Sequence, residues 1–272
     1  PYGVSGFEVA VPSAGYRWWY LDGLSDDGRH GLTIIGFVGS VFSPYYAWAR
    51  RKGGADPENH CALNVALYGD SGHRWSMTER GRRAIARSAS HFQIGPSAMR
   101  WENGDLIIDI NEITVPLPGR LRGRVRLTPS AICAHEVTLD PQGLHMWRPV
   151  APVSRIRAEF ENPELSWSGA GYHDSNWGQV PLEDSFESWV WSRAATRHGA
   201  AIVYDTVLKG GKSAGFALDI AASGAVSERP VLPRQDMPST FWRMARHMRA
   251  AKPFRIAALL EDSPFYARSL LR

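Results

Sequence analysis

The chain has 272 residues, 44% hydrophobic and 21% charged, with a formal net charge of +4. That balance excludes a disordered polypeptide and suits one large β domain or two moderate ones. No apolar run reaches the ~20 residues of a membrane-spanning helix, so no span is expected; the opening at Pro1 has no basic-then-apolar leader, so any targeting segment is expected to be absent or already removed.

Period-two segments separated by turn signals follow one another along the chain. "SDDGRHG" (25–31) reads as a turn, and "CALNVALYG" places Cys61, Leu63, Val65 and Leu67 on one face of a strand. After a second turn, "GDSG" (69–72), Asn103-Gly104 is a strong hairpin signal, followed by Leu106, Ile108 and Ile110 alternating against Asp109 and Asn111. "RLRGRVRL" (120–127) aligns Arg122, Arg124 and Arg126 on one face, either a solvated sheet surface or a weak attraction to anionic lipid. Its arginines do not interleave with aromatics and no nucleic-acid motif is present, so nucleic acid is not an expected partner. "RIRAEF" alternates Ile156, Ala158 and Phe160, and "HGAAIVYDTVL" sets Ile202 and Tyr204 against Val203 and Asp205 before a turn at "KGGK" (209–212). Only "STFWRMARHMRAA" (239–251) fits a helix, through Phe241, Trp242, Ala245 and Met248. The expected fold is all-β: two antiparallel barrels or sandwiches, 1–160 and 161–272, enclosing an apolar cavity or cleft. The break is placed where strand patterning yields to Pro, Ser and Gly in "ENPELSWSGAG" (161–171).

Nucleophile and nucleotide motifs are lacking: "GPSAM" (95–99) misses the second glycine of G-x-S-x-G, and there is neither a P-loop nor H-E-x-x-H. Cys61 and Cys133, far apart and poorly spaced from His60 and His135, suggest reduced thiols rather than a disulfide or metal site. The 11 tryptophans suit either ordinary core packing or the enclosure of a long apolar ligand. Two polar–aromatic pairs remain: His145 with Trp147, and Tyr172 with Asp174, each at the i, i+2 spacing that shares a strand face. Together they offer an acid, a base, a hydroxyl and a π face. Such a set could hydrate an unactivated alkene without cofactor: burial penalises the charged form of the acid, an aromatic face steadies the carbocation, and histidine handles the water. By spacing alone, Asp174 beside Ser175 and Asn176 also suits a turn aspartate, and the other three suit structural packing. His173 alternates to the other face and is left out.

Over nearly its whole length the chain resembles the carotenoid 1,2-hydratases, also called hydroxyneurosporene synthases. The resemblance is carried by "GYRWWYLDGLSDDGRHGLTIIGFVGSVFSPYYAWARR" (15–51), "NHCALNVALYG" (59–69), "RWSMTERG" (74–81), "GRVRLTP" (123–129), "GLHMWRPVAP" (143–152), "GYHDSNWGQVPLED" (171–184) and "EDSPFYARS" (261–269). It implies tandem lipocalin-like β domains and a cofactor-independent addition of water to the terminal C1=C2 double bond of acyclic carotenoids such as neurosporene and lycopene, giving a tertiary alcohol. By resemblance Asp174 is the acid, and His145, Trp147 and Tyr172 are its supporting residues. Trp177 and Tyr46 are expected to touch substrate, and Tyr45, Tyr46 and Trp48 to form an exposed interfacial lip. Similar proteins run on past "PFYARS", so a small second domain is expected. The implied partners are the carotenoid, water and membrane lipid met peripherally, on the cytoplasmic side of the bacterial inner or photosynthetic membrane. A non-catalytic polyene carrier and a cyclase of related fold are the competing readings.

Overall fold

The structure, a computed structural model, describes residues 6–53, 55–70, 72–264 and 266–272. Pro1, Ser71 of the expected 69–72 turn and Phe265 of the last resembling segment lie outside the described residues. In chain order the first part contains β1 (Tyr16–Ser25), β2 (His30–Val38), α1 (Pro44–Arg51), β3 (Cys61–Gly69), β4 (Arg74–Arg80), β5 (Ile85–Arg87), β6 (His91–Ile94), β7 (Ser97–Glu102) and β8 (Asp105–Ile113). It continues with β9 (Arg120–Pro129), β10 (Val137–Thr138), β11 (His145–Asn162), β12 (Leu165–Gly178) and the short α2 (Leu182–Ser185). These strands form one antiparallel sheet in the order β4-β3-β2-β1-β12-β11-β9-β8-β7-β6-β5, with β10 paired to β11. The sheet rolls until β4 returns toward β8: Arg80 Nη2 donates to Glu112 at 2.7 Å, and the Val115 N–H donates to the Trp75 carbonyl at 2.9 Å. The result is a nearly closed barrel, which protects its strand edges as expected of a lipocalin-like domain.

The periodicities are realised in this barrel. Leu63, Val65, Leu67, Leu106, Ile108, Ile110, Ile156, Ala158 and Phe160 all enter its core, joined by Trp19, Phe92 and Trp101. Asn103 and Gly104 turn the β7–β8 hairpin with positive φ at both positions (51° and 89°), as the Asn-Gly signal requires. The basic strand is a solvated face: Arg122, Arg124 and Arg126 point outward from β9 and pair with Glu161, Asp109 and Asp105 at 3.2, 2.6 and 2.6 Å. The two cysteines are free and buried, and burial pushes the Cys61 thiol up to about 12.

Contacts group the chain up to Ser185, with Ala221–Ala225, into one compact unit, and Phe186–Ile220 with Val226–Arg272 into another. The break therefore falls at 185/186 rather than 160/161. The stretch at 161–164, around Pro163, is only the bend of the long β11–β12 hairpin, and β12 is a central strand of the barrel sheet. The second unit holds a four-stranded sheet of β13 (Phe186–Thr196), β14 (Gly199–Leu208), β15 (Ser213–Ala221) and β16 (Val226–Arg229), and two hairpins. These are β17 (Arg234–Met237) with β18 (Arg246–Arg249), and β19 (Ile256–Asp262) with β20 (Ala267–Leu271). The helix expected over 239–251 is instead a turn at Phe241-Trp242 and the strand β18. Asp205 of β14 explains the change: His247 Nε2 and Arg249 Nε meet its Oδ2 at 2.7 and 2.8 Å, from one face of an extended strand. Burial works to raise the Asp205 carboxyl, but the hydrogen bonds from Arg249 and His247 outweigh it and hold the group below the usual carboxylate range.

Candidate active site

The central sheet is buried on both faces, and the faces differ in chemistry. Trp19 and Leu21 of β1 point into the barrel core, so their register partners on β12, Ser175 and His173, share that face, as do Arg17 and its partner Trp177. On the opposite face Tyr16, Trp18, Tyr20 and Asp22 lie beside Gly178, Asn176, Asp174 and Tyr172. β11 extends this second face, with His145 opposite Gly178 and Trp147 opposite Asn176. The four residues of the two polar–aromatic pairs thus share one buried sheet face.

Three of the four make a single constellation. Asp174 is 3% exposed. Its Oδ2 accepts the Tyr172 hydroxyl at 2.7 Å and the Trp147 Nε1–H at 2.9 Å. Local sequence explains how β11 accommodates this. Pro149 and Pro152 cannot donate to the ladder, and the β11–β12 register shifts by one residue between Arg148 and Ala151 and again between Ala151 and Ser154. The two bulges lie opposite Asp174 and Tyr172.

His145 is placed differently. Its partner Gly178 is four residues along β12 from Asp174, about 14 Å at strand rise. Its ring is engaged at both nitrogens, by the Tyr16 hydroxyl at Nδ1 and Ser185 Oγ at Nε2, each at 2.9 Å. Burial pushes its pKa down against the pull of Asp140 and Asp184, which favours a neutral imidazole. His173 is wholly buried on the core face with Nδ1 2.8 Å from the Tyr20 carbonyl, and burial pushes its pKa down to about 4.

The two expected substrate contacts do not join Asp174. Trp177 is an odd number of residues away and therefore faces the core side, with the Arg17 guanidinium 4.6 Å from its ring centroid. Tyr46 lies on the inner side of α1, fully buried, its hydroxyl donating to the Gly15 carbonyl at 2.6 Å. Of the expected lip, Tyr46 is thus packed inside, while Tyr45 and Trp48 are 70% and 57% exposed. A broad surface groove of about 990 Å³ lies elsewhere; its charged lining of Asp109, Arg122, Arg124, Glu159, Glu161 and Glu164 contains none of the site residues.

Two residues absent from the sequence reading belong to the same face. The Tyr20 hydroxyl donates to Asp22 Oδ2 at 2.8 Å, and Asp22 is 2% exposed. The signal was available: "YLD" (20–22) repeats the Tyr-x-Asp spacing of "YHD" (172–174).

A nearly closed antiparallel barrel with a buried carboxyl group held between an indole and a phenol defines a lipocalin-like protein with an acid set among aromatics. The same fold is seen in AttH from Nitrosomonas europaea, with a TM-score of 0.57 at 16% identity, covering 91% of this chain and 81% of that one. The chain belongs to the carotenoid hydratase family: the family model described as carotenoid hydratase CrtC matches residues 34–272. It is 54% identical over 97% of its length to the acyclic carotenoid 1,2-hydratase of Thiocapsa roseopersicina. It is 49% identical over 99% of its length to that of Rubrivivax gelatinosus. It spans 66% and 68% of the length of these two relatives.

Proposed function

We propose that the chain carries the hydratase activity of its family, adding water across the terminal trisubstituted double bond of an acyclic carotenoid. The observation that carries the reading is the convergence of Tyr172 and Trp147 on one oxygen of the buried Asp174. A buried charge costs several kcal/mol, so the face favours a carboxylic acid that spends its proton on a greasy partner. The Asp174 O–H bond breaks, the π electrons take the proton at the less substituted carbon, and a tertiary cation forms. Trp147 and Tyr172, with Trp18 and Tyr20 on the same face, offer π surfaces worth about 2 kcal/mol each to a desolvated cation. Water then captures the cation as the tertiary alcohol. His145, fastened to Tyr16 and Ser185, has the position of an anchor for the end of the face.

Such a substrate is dissolved in a bilayer, so the protein works as a peripheral one, on the cytoplasmic side of the membrane. No helix among the described residues is long and apolar enough to cross a membrane. Exposed Tyr45 and Trp48, with Arg51 and Lys52 at the end of α1, supply the aromatic and basic elements of an interfacial contact.

The test is incubation with lycopene in liposomes and heavy-oxygen water, followed by mass spectrometry of the product. Labelled tertiary alcohol is expected from the unaltered protein. Asp174→Asn, which keeps an acceptor for both donors, is expected to bind carotenoid and give none. Hydration by that variant at the parental rate would refute the acid assignment; binding without any alcohol from the unaltered protein would make it a polyene carrier.

A further inference from the structure

We propose that Asp22 is the base that takes the proton from the attacking water, held in place by Tyr20. This inference rests on the hydratase reading and adds a second catalytic carboxylate to it. Asp22 lies opposite Tyr172 and Tyr20 lies opposite Asp174, so two Tyr-x-Asp pairs interlock on adjacent strands. Each aspartate accepts its own tyrosine's hydroxyl, at 2.8 Å for Tyr20–Asp22 and 2.7 Å for Tyr172–Asp174. The two rings meet edge to face with centroids 6.2 Å apart. The aspartates are diagonal neighbours, a relation that in such a ladder spans about 7–8 Å, with the β-carbons somewhat closer. Carboxyl groups separated on this scale leave room for a water between acid and base.

Neither histidine near the site competes for the role. His173 faces the core, and His145 sits four residues along β12 with both ring nitrogens engaged. Asp22 occupies the face itself, one diagonal step from the acid. The two buried carboxyls hold one proton between them, because neighbouring like charges out of water do not both ionise, and the reactive arrangement has that proton on Asp174 with Asp22 the carboxylate. The reaction then closes without a cofactor. Asp174 gives its proton to the alkene and becomes a carboxylate. The water oxygen forms the C–O bond, and the water O–H bond breaks toward the Asp22 carboxylate. Return of that proton from Asp22 to Asp174 restores the starting state, with one water consumed.

The experiment uses the same protein and lycopene liposomes in heavy water (D2O), comparing the unaltered chain, Asp22→Asn and Asp174→Asn. General-base catalysis is worth 10²–10⁴-fold, so Asp22→Asn is expected to lower alcohol formation by about 100-fold or more. Asp174 still protonates in that variant, and an uncaptured cation is relieved only by proton loss. Deuterium therefore still enters the recovered polyene or its double-bond isomer. Asp174→Asn is expected to give neither alcohol nor deuterium. Asp22→Asn hydrating within about threefold of the parent overturns the proposal, and so does loss of both alcohol and deuterium exchange, which would mark Asp22 as acid or scaffold. An unaltered protein that makes no alcohol refutes the hydratase reading itself, and the base with it.

Tyr20→Phe provides a check independent of the folding of Asp22→Asn. Losing the hydroxyl makes a carboxylate more basic, so the acid limb of the rate–pH profile is expected to move to higher pH. The ionisable groups around Asp22 on this face include Tyr20, Tyr172, Asp174 and Tyr68. The last donates to Thr33, the β2 partner of Asp22, at 3.2 Å. An unmoved acid limb in Tyr20→Phe also overturns the assignment.

Discussion

Replacing His173 with Asn removes a titrating group from the barrel core while keeping an N–H to donate to the Tyr20 carbonyl. The wild-type imidazole is wholly buried, and burial holds its folded pKa at about 4, below the ordinary 6.5. Between those values the unfolded chain binds the extra proton, so stability is complete above the ordinary value and is lost as pH falls toward the folded one. The full difference is about 3 kcal/mol, at about 1.4 kcal/mol per pKa unit. From about pH 7 to about pH 5 the loss amounts to about 2 kcal/mol. Urea unfolding across that range, followed by circular dichroism, measures it. The variant is expected to start less stable, because the smaller side chain leaves space beside Trp101, but to have a pH slope flatter by about 2 kcal/mol. The depressed carboxyls Asp109 and Asp205 titrate in both proteins and cancel in the difference. Parallel pH profiles for the two proteins would refute the argument that His173 is buried neutral.

Trp147→Phe and Tyr172→Phe each remove one donor from Asp174 Oδ2; hydration is expected to fall about 10- to 100-fold in each, as a lost hydrogen bond of about 1.5–3 kcal/mol implies, read as initial rates of alcohol formation. Gly178→Ala would set a Cβ 2.4 Å from Tyr16 Cε1 and 2.7 Å from His145 Nδ1, so the Tyr16–His145 contact must part. A loss of about 1–3 kcal/mol is expected in denaturant melts, typical of overpacking. Asp205→Ala strands His247 and Arg249 without their carboxylate, and a destabilisation of about 3 kcal/mol is expected, seen as faster proteolysis within 186–272. Serine at both Tyr45 and Trp48 is expected to weaken sedimentation with anionic vesicles while leaving thermal unfolding unchanged, since both side chains are exposed.

Spacing alone made His145–Trp147 and Tyr172–Asp174 same-face pairs, because side-chain direction in a strand depends only on parity. Parity also placed His173 on the other face, and the same rule applied to Trp177 would have removed it from the substrate contacts. The second carboxylate was legible in principle, since "YLD" and "YHD" share one spacing, but 149 residues lie between them and only strand pairing makes them neighbours. Tyr46 could not be read correctly from "SPYYAWARR". Which side of α1 meets the protein depends on what packs against it, and Tyr46 proved to be the inner residue and Tyr45 the outer. The segment 239–251 shows the same limit: its apolar spacing favours a helix, while a buried aspartate 42 residues upstream of His247 ties it down as a strand.

What the sequence determined by itself was the alternation: an all-β chain, its turns, the strand faces and, through long matching strings, its family. Only the tertiary structure decided which alternating face becomes the barrel interior and which carries the carboxyl groups. Strand order is set by long-range pairing, which lays β1 against β12 across more than 120 intervening residues. That pairing brings Asp22 and Tyr20 to Asp174 and Tyr172, while the proline bulges of β11 shape the ladder beside them. Burial of a carboxyl group, which the proposed acid requires, is a property of that assembled surface and of no local stretch of the chain.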